Sequence, residues 1–154
     1  LLHVYVDADA CPVKDEIYRV AKRYGLPVTL VSNRTMRIPS DGGVNLVVVG
    51  DRVLDAADAW IVEHVGPGDI VITADVPLAS RCLGKQARVL GPRGQDFTED
   101  SIGDAVATRD LLSMLREGGA ATGGPPPFGN RDRSRFLHRL DEIIQTARRQ
   151  SPPV

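Results

Sequence analysis

Three aspartates fall just past short apolar runs: Asp7 and Asp9 after Leu2-His3-Val4-Tyr5-Val6, and Asp75 after Ile70-Val71-Ile72-Thr73. If those runs are strands of a parallel sheet, their carboxyl ends form the edge where ligands bind, at the point where strand order reverses. Asp7 and Asp9 straddle Ala8, so a locally extended backbone aims both the same way. Asp55 and Asp58 are three residues apart on a predicted helix that starts near the same edge. Clustered carboxylates raise one another's pKa, and a hard cation relieves the repulsion. Mg²⁺ or Mn²⁺ is the expected ion, because such ions take oxygen ligands, retain water and add a substrate phosphate. One or two ions so held could activate a water for phosphodiester cleavage.

Each acid also has a plainer reading. Asp9 could cap the helix that begins near Pro12, Asp75 could cap the short helix after Pro77, and Asp55 and Asp58 could be surface residues. Around them stand candidate phosphate contacts. Lys14, on the first turn of the first predicted helix, either meets a phosphate or pairs with an acid, and pairing is the simpler reading. Arg93 lies in a Gly-Pro-Arg-Gly turn, where glycines admit an anion and the guanidinium can grip it in a fork. Arg133 and Ser134 begin the last predicted helix, which a Pro-rich linker could fold back over the site; Asp132 or Ser134 could instead only cap that helix. Cys11 reads as a packed thiol, since no histidine is placed to activate it. His3, His64 and His138 show no zinc spacing. Arg109 and Asp110 read as a helix-surface pair.

The elements that must position these groups alternate. Strands are expected at Leu2–Val6, Val28–Val31, Leu46–Val49, Ile70–Thr73 and Ala87–Leu90, and helices at Val13–Tyr24, Asp55–Val65 and from Pro77 to about Leu83. A further helix should follow Thr98, a good N-cap, to Glu117, and a last one should run from Arg133 to Arg149 with Phe136, Leu140, Ile143 and Ile144 on its apolar face. Near-continuous apolar strands alternating with helices indicate an α/β fold, three-layer and Rossmann-like, with a mainly parallel central sheet of four or five strands and a C-terminal helical extension. The expected organisation is a core over 1–117, a Gly/Pro-rich linker over 118–131 and a C-terminal helical segment over 132–154 packing on the core.

Bulk properties narrow the function classes. The chain has 154 residues, 42% hydrophobic and 25% charged, an ordinary globular composition. No run is long and apolar enough to cross a membrane, and the early acids do not suit a signal peptide. Two cysteines make no disulfide framework, so a cytoplasmic setting and no disulfide-linked partner are expected. A net charge of -1 gives no global support for nucleic-acid binding, although Arg131, Arg133, Arg135, Arg139, Arg148 and Arg149 concentrate basic charge near the C-terminus.

Four segments in order, Val6-Asp7-Ala8-Asp9-Ala10-Cys11-Pro12-Val13-Lys14, Asp69 to Ala79, Gly91-Pro92-Arg93-Gly94, and Gly123 to Phe128 with Asp132 to Phe136, resemble those of the YaiI/YqxD family, also called UPF0178 or DUF188. That family is largely uncharacterised and is similar to PIN-like and NYN nuclease domains. The resemblance implies a PIN-like fold for the 1–117 core, with Asp7 and Asp9 matching the first acidic motif, Asp75 the acid after the fourth strand and Asp58 the helix acid, Asp55 being the alternative at that last position. It further implies a Mg²⁺- or Mn²⁺-dependent nuclease acting on RNA. Two other functions stay open from the residues: a non-catalytic module binding RNA or a nucleotide, and a phosphatase using Asp7 of the Asp-x-Asp pair as nucleophile. The oligomeric state is open, a homodimer included.

Overall fold

Alternation along the first strand sets the layers. The computed structural model describes residues 2–40, 42–50, 55–119 and 126–150. In β1 (Val4–Asp7), Val4 and Val6 join one buried cluster and Tyr5 another, so both faces of the sheet are covered. The strands β2 (Val28–Ser32), β3 (Val44–Val48), β4 (Ile70–Ile72) and β5 (Arg88–Leu90) extend it in parallel, and β6 (Asp96–Phe97) adds an antiparallel edge. Sheet order is β3-β2-β1-β4-β5-β6. The expected parallel strands are present, and the added strand escapes notice because two residues, one of them Asp96, carry no apolar period.

One face carries α1 (Lys14–Tyr24) and α5 (Asn130–Gln150), whose Ile17, Val20, Phe136, Leu140 and Ile144 pack on Val4, Val6, Leu30 and Ile72. The other carries α2 (Ala56–His64) and α3 (Val76–Gly84), whose Ala57, Ile61, Leu78 and Cys82 pack on Tyr5, Val31, Val71 and Val89. Outside α3 lies α4 (Glu99–Glu117), capped as expected by Thr98 in a capping box with Ser101. It buries no residue, resting on the second cluster through Ile102 and leaving Leu111, Met114 and Leu115 exposed. The result is the expected three-layer α/β arrangement. Residues 120–125 of the expected linker lie outside the described residues, and α5 begins at Asn130, earlier than its apolar stripe suggests.

Strand order reverses between β1 and β4. The chain steps outward from β1 through β2 to β3, then returns to pair β4 with the other side of β1 in the register Val4↔Ile70, Tyr5↔Val71, Val6↔Ile72. The carboxyl ends of those two strands carry Asp7 and the Thr73-Ala74-Asp75 segment. The switch point and the acids therefore coincide.

Docking of α5 depends on one glycine. Gly94 has φ +83, and a Cβ there would stand 2.8 Å from Arg135 Cγ, 3.0 Å from its carbonyl carbon and 3.1 Å from its carbonyl oxygen. Gly25, the left-handed C-cap of α1 with φ +65, has nothing within 4 Å of such a Cβ. Gly25→Ala should therefore cost only the backbone penalty, about 1–2 kcal/mol, whereas Gly94→Ala adds overpacking against helix backbone, about 1–3 kcal/mol more. Urea unfolding of the two variants checks this; equal losses would contradict the close approach.

Candidate active site at the carboxyl edge

Local chemistry builds the site from the strand ends outward. Asp7 closes β1, and Thr73, buried one step beyond β4, donates its hydroxyl hydrogen to Asp7 Oδ2 at 2.9 Å. The same Thr73 oxygen accepts from the backbone N–H of Asp75 at 3.0 Å, so one hydroxyl ties the two acid-bearing ends together. Asp75 then caps α3, its Oδ1 accepting from Leu78 N–H at 2.9 Å with Pro77 in the first turn. The capping reading of Asp75 is thus realised, and it leaves Oδ2 without a hydrogen bond among the described residues. Asp7, Asp75, Thr73, Cys11, Ala10 and Pro92 line one cleft of about 220 Å³.

Asp9 has a different place from the one its spacing suggested. It does not cap α1, whose N-cap position is Val13 without a side-chain cap bond. Its Oδ1 accepts from the Ser32 hydroxyl at 2.5 Å, and Oδ2 accepts from Asn33 N–H at 2.9 Å. Asp9 clamps the loop leaving β2 and does not line the cleft, although its charge still reaches Asp7. Asp58, on the first turn of α2, feels Asp75 and Asp7. Of the two helix acids, Asp58 is electrostatically coupled to the edge; Asp55 is exposed with a left-handed backbone, φ 62.

The electrostatics follow from burial and repulsion. Burial raises the Asp7 carboxyl above its ordinary value; the Thr73 hydrogen bond opposes this, and the Asp75 and Asp9 charges add to it. Burial, then Asp75, Asp7 and Asp55, push Asp58 up to about 6, against a small opposing effect of Arg81. Burial also raises the Cys11 thiol, so the group beside Asp7 stays protonated and is a poor nucleophile. Among the described residues, no three His, Cys, Asp or Glu side chains stand together as a group that could hold a metal ion. The donors present suit a sparser arrangement: one oxygen each from Asp7 and Asp75, with water and substrate completing the shell of a hard cation.

The basic candidates reach the edge already bonded. Lys14 donates to Cys11 C=O at 3.2 Å, beside the acids and not on one of them. Arg93 donates to Asp132 Oδ2 at 3.2 Å and to Pro126 C=O at 2.6 Å. Arg133 donates to Pro12 C=O at 2.8 Å and Glu16 Oε1 at 2.9 Å, which brings the start of α5 back onto the first turn of α1. Both guanidiniums stack on Phe128, at 5.7 and 5.0 Å from the ring centre. Asp132 accepts from Gly129 N–H at 3.0 Å and so closes the start of α5, while Ser134 is exposed and makes no side-chain bond among the described residues.

Sequence reasoning passed over Thr73, Ser32 and Glu16. Thr73 reads as the last residue of a β-branched strand, yet its place two residues before Asp75 is the spacing at which a hydroxyl meets a backbone N–H. Glu16 reads as a first-turn acid complementing the helix dipole; it is 7% exposed, with Oε2 unpartnered and Oε1 on Arg133. Its ionic partner arrives with α5, and no local pattern reports that.

These features define an open α/β protein with an acidic cleft at its topological switch point. The chain belongs to the YaiI/YqxD family: the DUF188 family model, described as "Uncharacterized BCR, YaiI/YqxD family", matches residues 5–146. Among curated relatives, a UPF0178 protein of Paramagnetospirillum magneticum is 56% identical over 149 residues, covering 97% of this chain and 98% of the relative. A UPF0178 protein of Rhodopseudomonas palustris is 53% identical, covering 96% of this chain and 95% of the relative, and one of Bradyrhizobium is 54% identical, covering 96% and 89%. No solved structure matches the chain. None of the described helices is long and apolar enough to cross a membrane.

The raised carboxyl of Asp58 gives a stability test. It ionises at about 6 in the folded chain against an ordinary 3.8. Its charge therefore opposes folding increasingly as pH rises through that interval and has no such effect below it. Asp58→Asn should melt higher than the wild type at pH 8 and at the same temperature near pH 4, by thermal scans at both. A variant no more stable at pH 8 would remove Asp58 from the acidic edge.

Proposed function

We propose that the protein is a Mg²⁺- or Mn²⁺-dependent nuclease that hydrolyses RNA phosphodiesters at the carboxyl edge. One observation carries the reading: Asp7 and Asp75, from strands on either side of the switch point, line one cleft and are joined through Thr73. The choice of reaction and of RNA rests on what the family resemblance implies, a likeness to PIN-like and NYN nuclease domains. Asp7 and Asp75 would hold the cation, with Asp58 and Asp9 contributing charge from either side. When bound, the cation supplies charge neutralisation and polarises the phosphate.

The chain's own groups do the rest. Thr73 fixes the rotamer of Asp7 and, by its hydrogen bond, favours the ionised carboxylate that a cation needs. Arg93 follows β5, and Arg133 stacks with it on Phe128 above the start of α1; each retains guanidinium hydrogens beyond those bonded to Asp132, Pro126, Pro12 and Glu16. Ser134, exposed one residue on, and Lys14, at the start of α1, would contact the same RNA strand. Ala10, Ile72 and Pro92 form the apolar side of the cleft beside Asp7 and Asp75, where lower polarity would strengthen a cation–carboxylate contact.

A second reading, a module that binds RNA or a nucleotide without turnover, draws on a specific observation. Asp9 has both oxygens occupied, and no three-ligand group stands assembled among the described residues.

Incubation of the purified chain with single-stranded RNA separates the two. The nuclease reading expects cleavage with Mg²⁺ or Mn²⁺, its loss in EDTA, and a fall of about 100-fold or more for Asp7→Asn. Cleavage undiminished in Asp7→Asn sinks the assignment; tight binding without any cleavage leaves the second reading. Thr73→Val should lower cleavage about 10–100-fold and move the acidic limb of the pH–rate profile upward, because Asp7 loses the bond that favours its charge.

A further inference from the structure

The carboxyl edge has a second basic flank. In strand order the edge presents the β2 exit with Asn33 and Arg34, then Asp7 at the end of β1 with Asp9 beyond it, then Thr73 and Asp75 after β4, then Pro92 and Arg93 after β5. The acids are thus bracketed by arginines on both sides. Arg93 after β5 and Arg133, which shares the Phe128 ring with it, are each bonded within the protein. Arg34 at the β2 exit and Arg37, farther along the crossover that leads to β3, are exposed, and neither side chain has a hydrogen bond or ion pair among the described residues.

The segment that bears them is anchored. Asp9 accepts from Ser32 and Asn33, and Arg34 N–H donates to Ser32 Oγ at 3.1 Å, so a continuous chain of bonds links Arg34 to an acid of the edge. Farther on, Met36 and Ile38 pack against the core of the α1 face while Arg37 between them remains in solvent. Two unpaired guanidiniums therefore sit on a pinned crossover. From β2 to β5 are three strand spacings of about 4.8 Å, or roughly 14 Å, which a small phosphate ester does not bridge.

We propose that Arg34 and Arg37 form a second phosphate-binding arm, so that single-stranded nucleic acid lies across the edge with backbone on both sides of the acidic cleft. Phosphates on one side meet Arg34 and Arg37, and those on the other meet Arg93 and Arg133. The diester over Asp7 and Asp75 is then an interior one, and cleavage is endonucleolytic. An acidic peptide fits this edge poorly: its carboxylates would face Asp7 and Asp75 directly, whereas a phosphodiester shares a cation with them. The position of the cleavage rests on the nuclease reading above; the binding arm does not.

Fluorescence anisotropy on the full chain tests the arm. The probe is a labelled single-stranded oligoribonucleotide, and Asp7→Asn, checked by circular dichroism, serves as a non-cleaving background. Adding Arg34→Ala and Arg37→Ala should weaken binding about tenfold or more and reduce the magnitude of the log–log salt slope by about 1.4, the value for two lost single-strand phosphate contacts. The double variant Arg109→Ala with Arg116→Ala, which removes the same charge from α4, should leave both unchanged. Unchanged affinity in the Arg34/Arg37 variant overturns the arm, as does an acidic peptide that binds as tightly with the same dependence on them. On wild-type protein, an oligonucleotide blocked at both ends should be cut internally; a requirement for a free end overturns the two-sided path. Strand binding that depends on Arg34 and Arg37 with no cleavage at all would sink the nuclease reading and keep the arm. Metal-dependent cutting of the strand with affinity unchanged in the Arg34/Arg37 variant would do the reverse.

Discussion

Parallel pairing of β1 with β4 places everything at the carboxyl edge. Residues 4–6 and 70–72 are far apart in sequence, and only their register sets Asp7 beside Thr73. Apolar side chains hold that register, since Val4, Val6, Ile70 and Ile72 are buried on one face and Tyr5 and Val71 on the other. A shift by one residue would turn each set toward the wrong layer. The hydrophobic layers therefore fix the separation of two carboxylates that repel each other, and the Thr73 hydroxyl offsets part of that repulsion with a hydrogen bond to the charged form.

A second constraint closes the edge from the α5 side. Gly94 lets the turn after β5 touch Arg135, and the Arg93–Phe128–Arg133 stack with Asp132 and Glu16 fastens the start of α5 to both that turn and α1. Phe136, Leu140 and Ile144 then continue the contact into the core. The ion pairs near solvent contribute little by themselves; the buried apolar face of α5 contributes the stability, and the polar contacts set where that face starts. Arginines that look available for phosphate in the sequence are therefore partly committed to holding the helix.

Most of the fold was legible because its signals are local. Val28–Ser32 and Ile70–Ile72 are buried, β-branched runs, α1 has its apolar stripe and a left-handed Gly25, and Thr98 caps α4. The strand β6 and the early start of α5 were not, since Asp96–Phe97 pairs only by being carried back along β5, and Asn130 to Arg135 are polar. At the site, Asp7 and Asp75 could be located from strand ends alone. The partner of Asp9 could not, because Ser32 and Asn33 are brought to it by β1–β2 pairing and nothing near Asp9 in sequence announces them. Glu16 is the sharpest case: its neighbours in sequence mark it as exposed, yet it is buried and pairs with a residue 117 positions away.

The edge that results is under electrostatic tension of one sign. Asp7 and Asp58 are both pushed toward the neutral form, with burial the largest cause and neighbouring acids adding to it. A fold selected only for stability would not keep such groups here, because exchanging them for neutral residues would relieve the repulsion without touching the apolar layers. Thr73 gives a hydrogen bond that favours the charged form of Asp7, and Ser32 one that orients Asp9, which works against that relief. Charge retained at an energetic cost, in a cleft open to ligands, is the arrangement expected of a site completed by what it binds: under the proposed reading, a cation and a phosphate together would supply what the carboxylates lack.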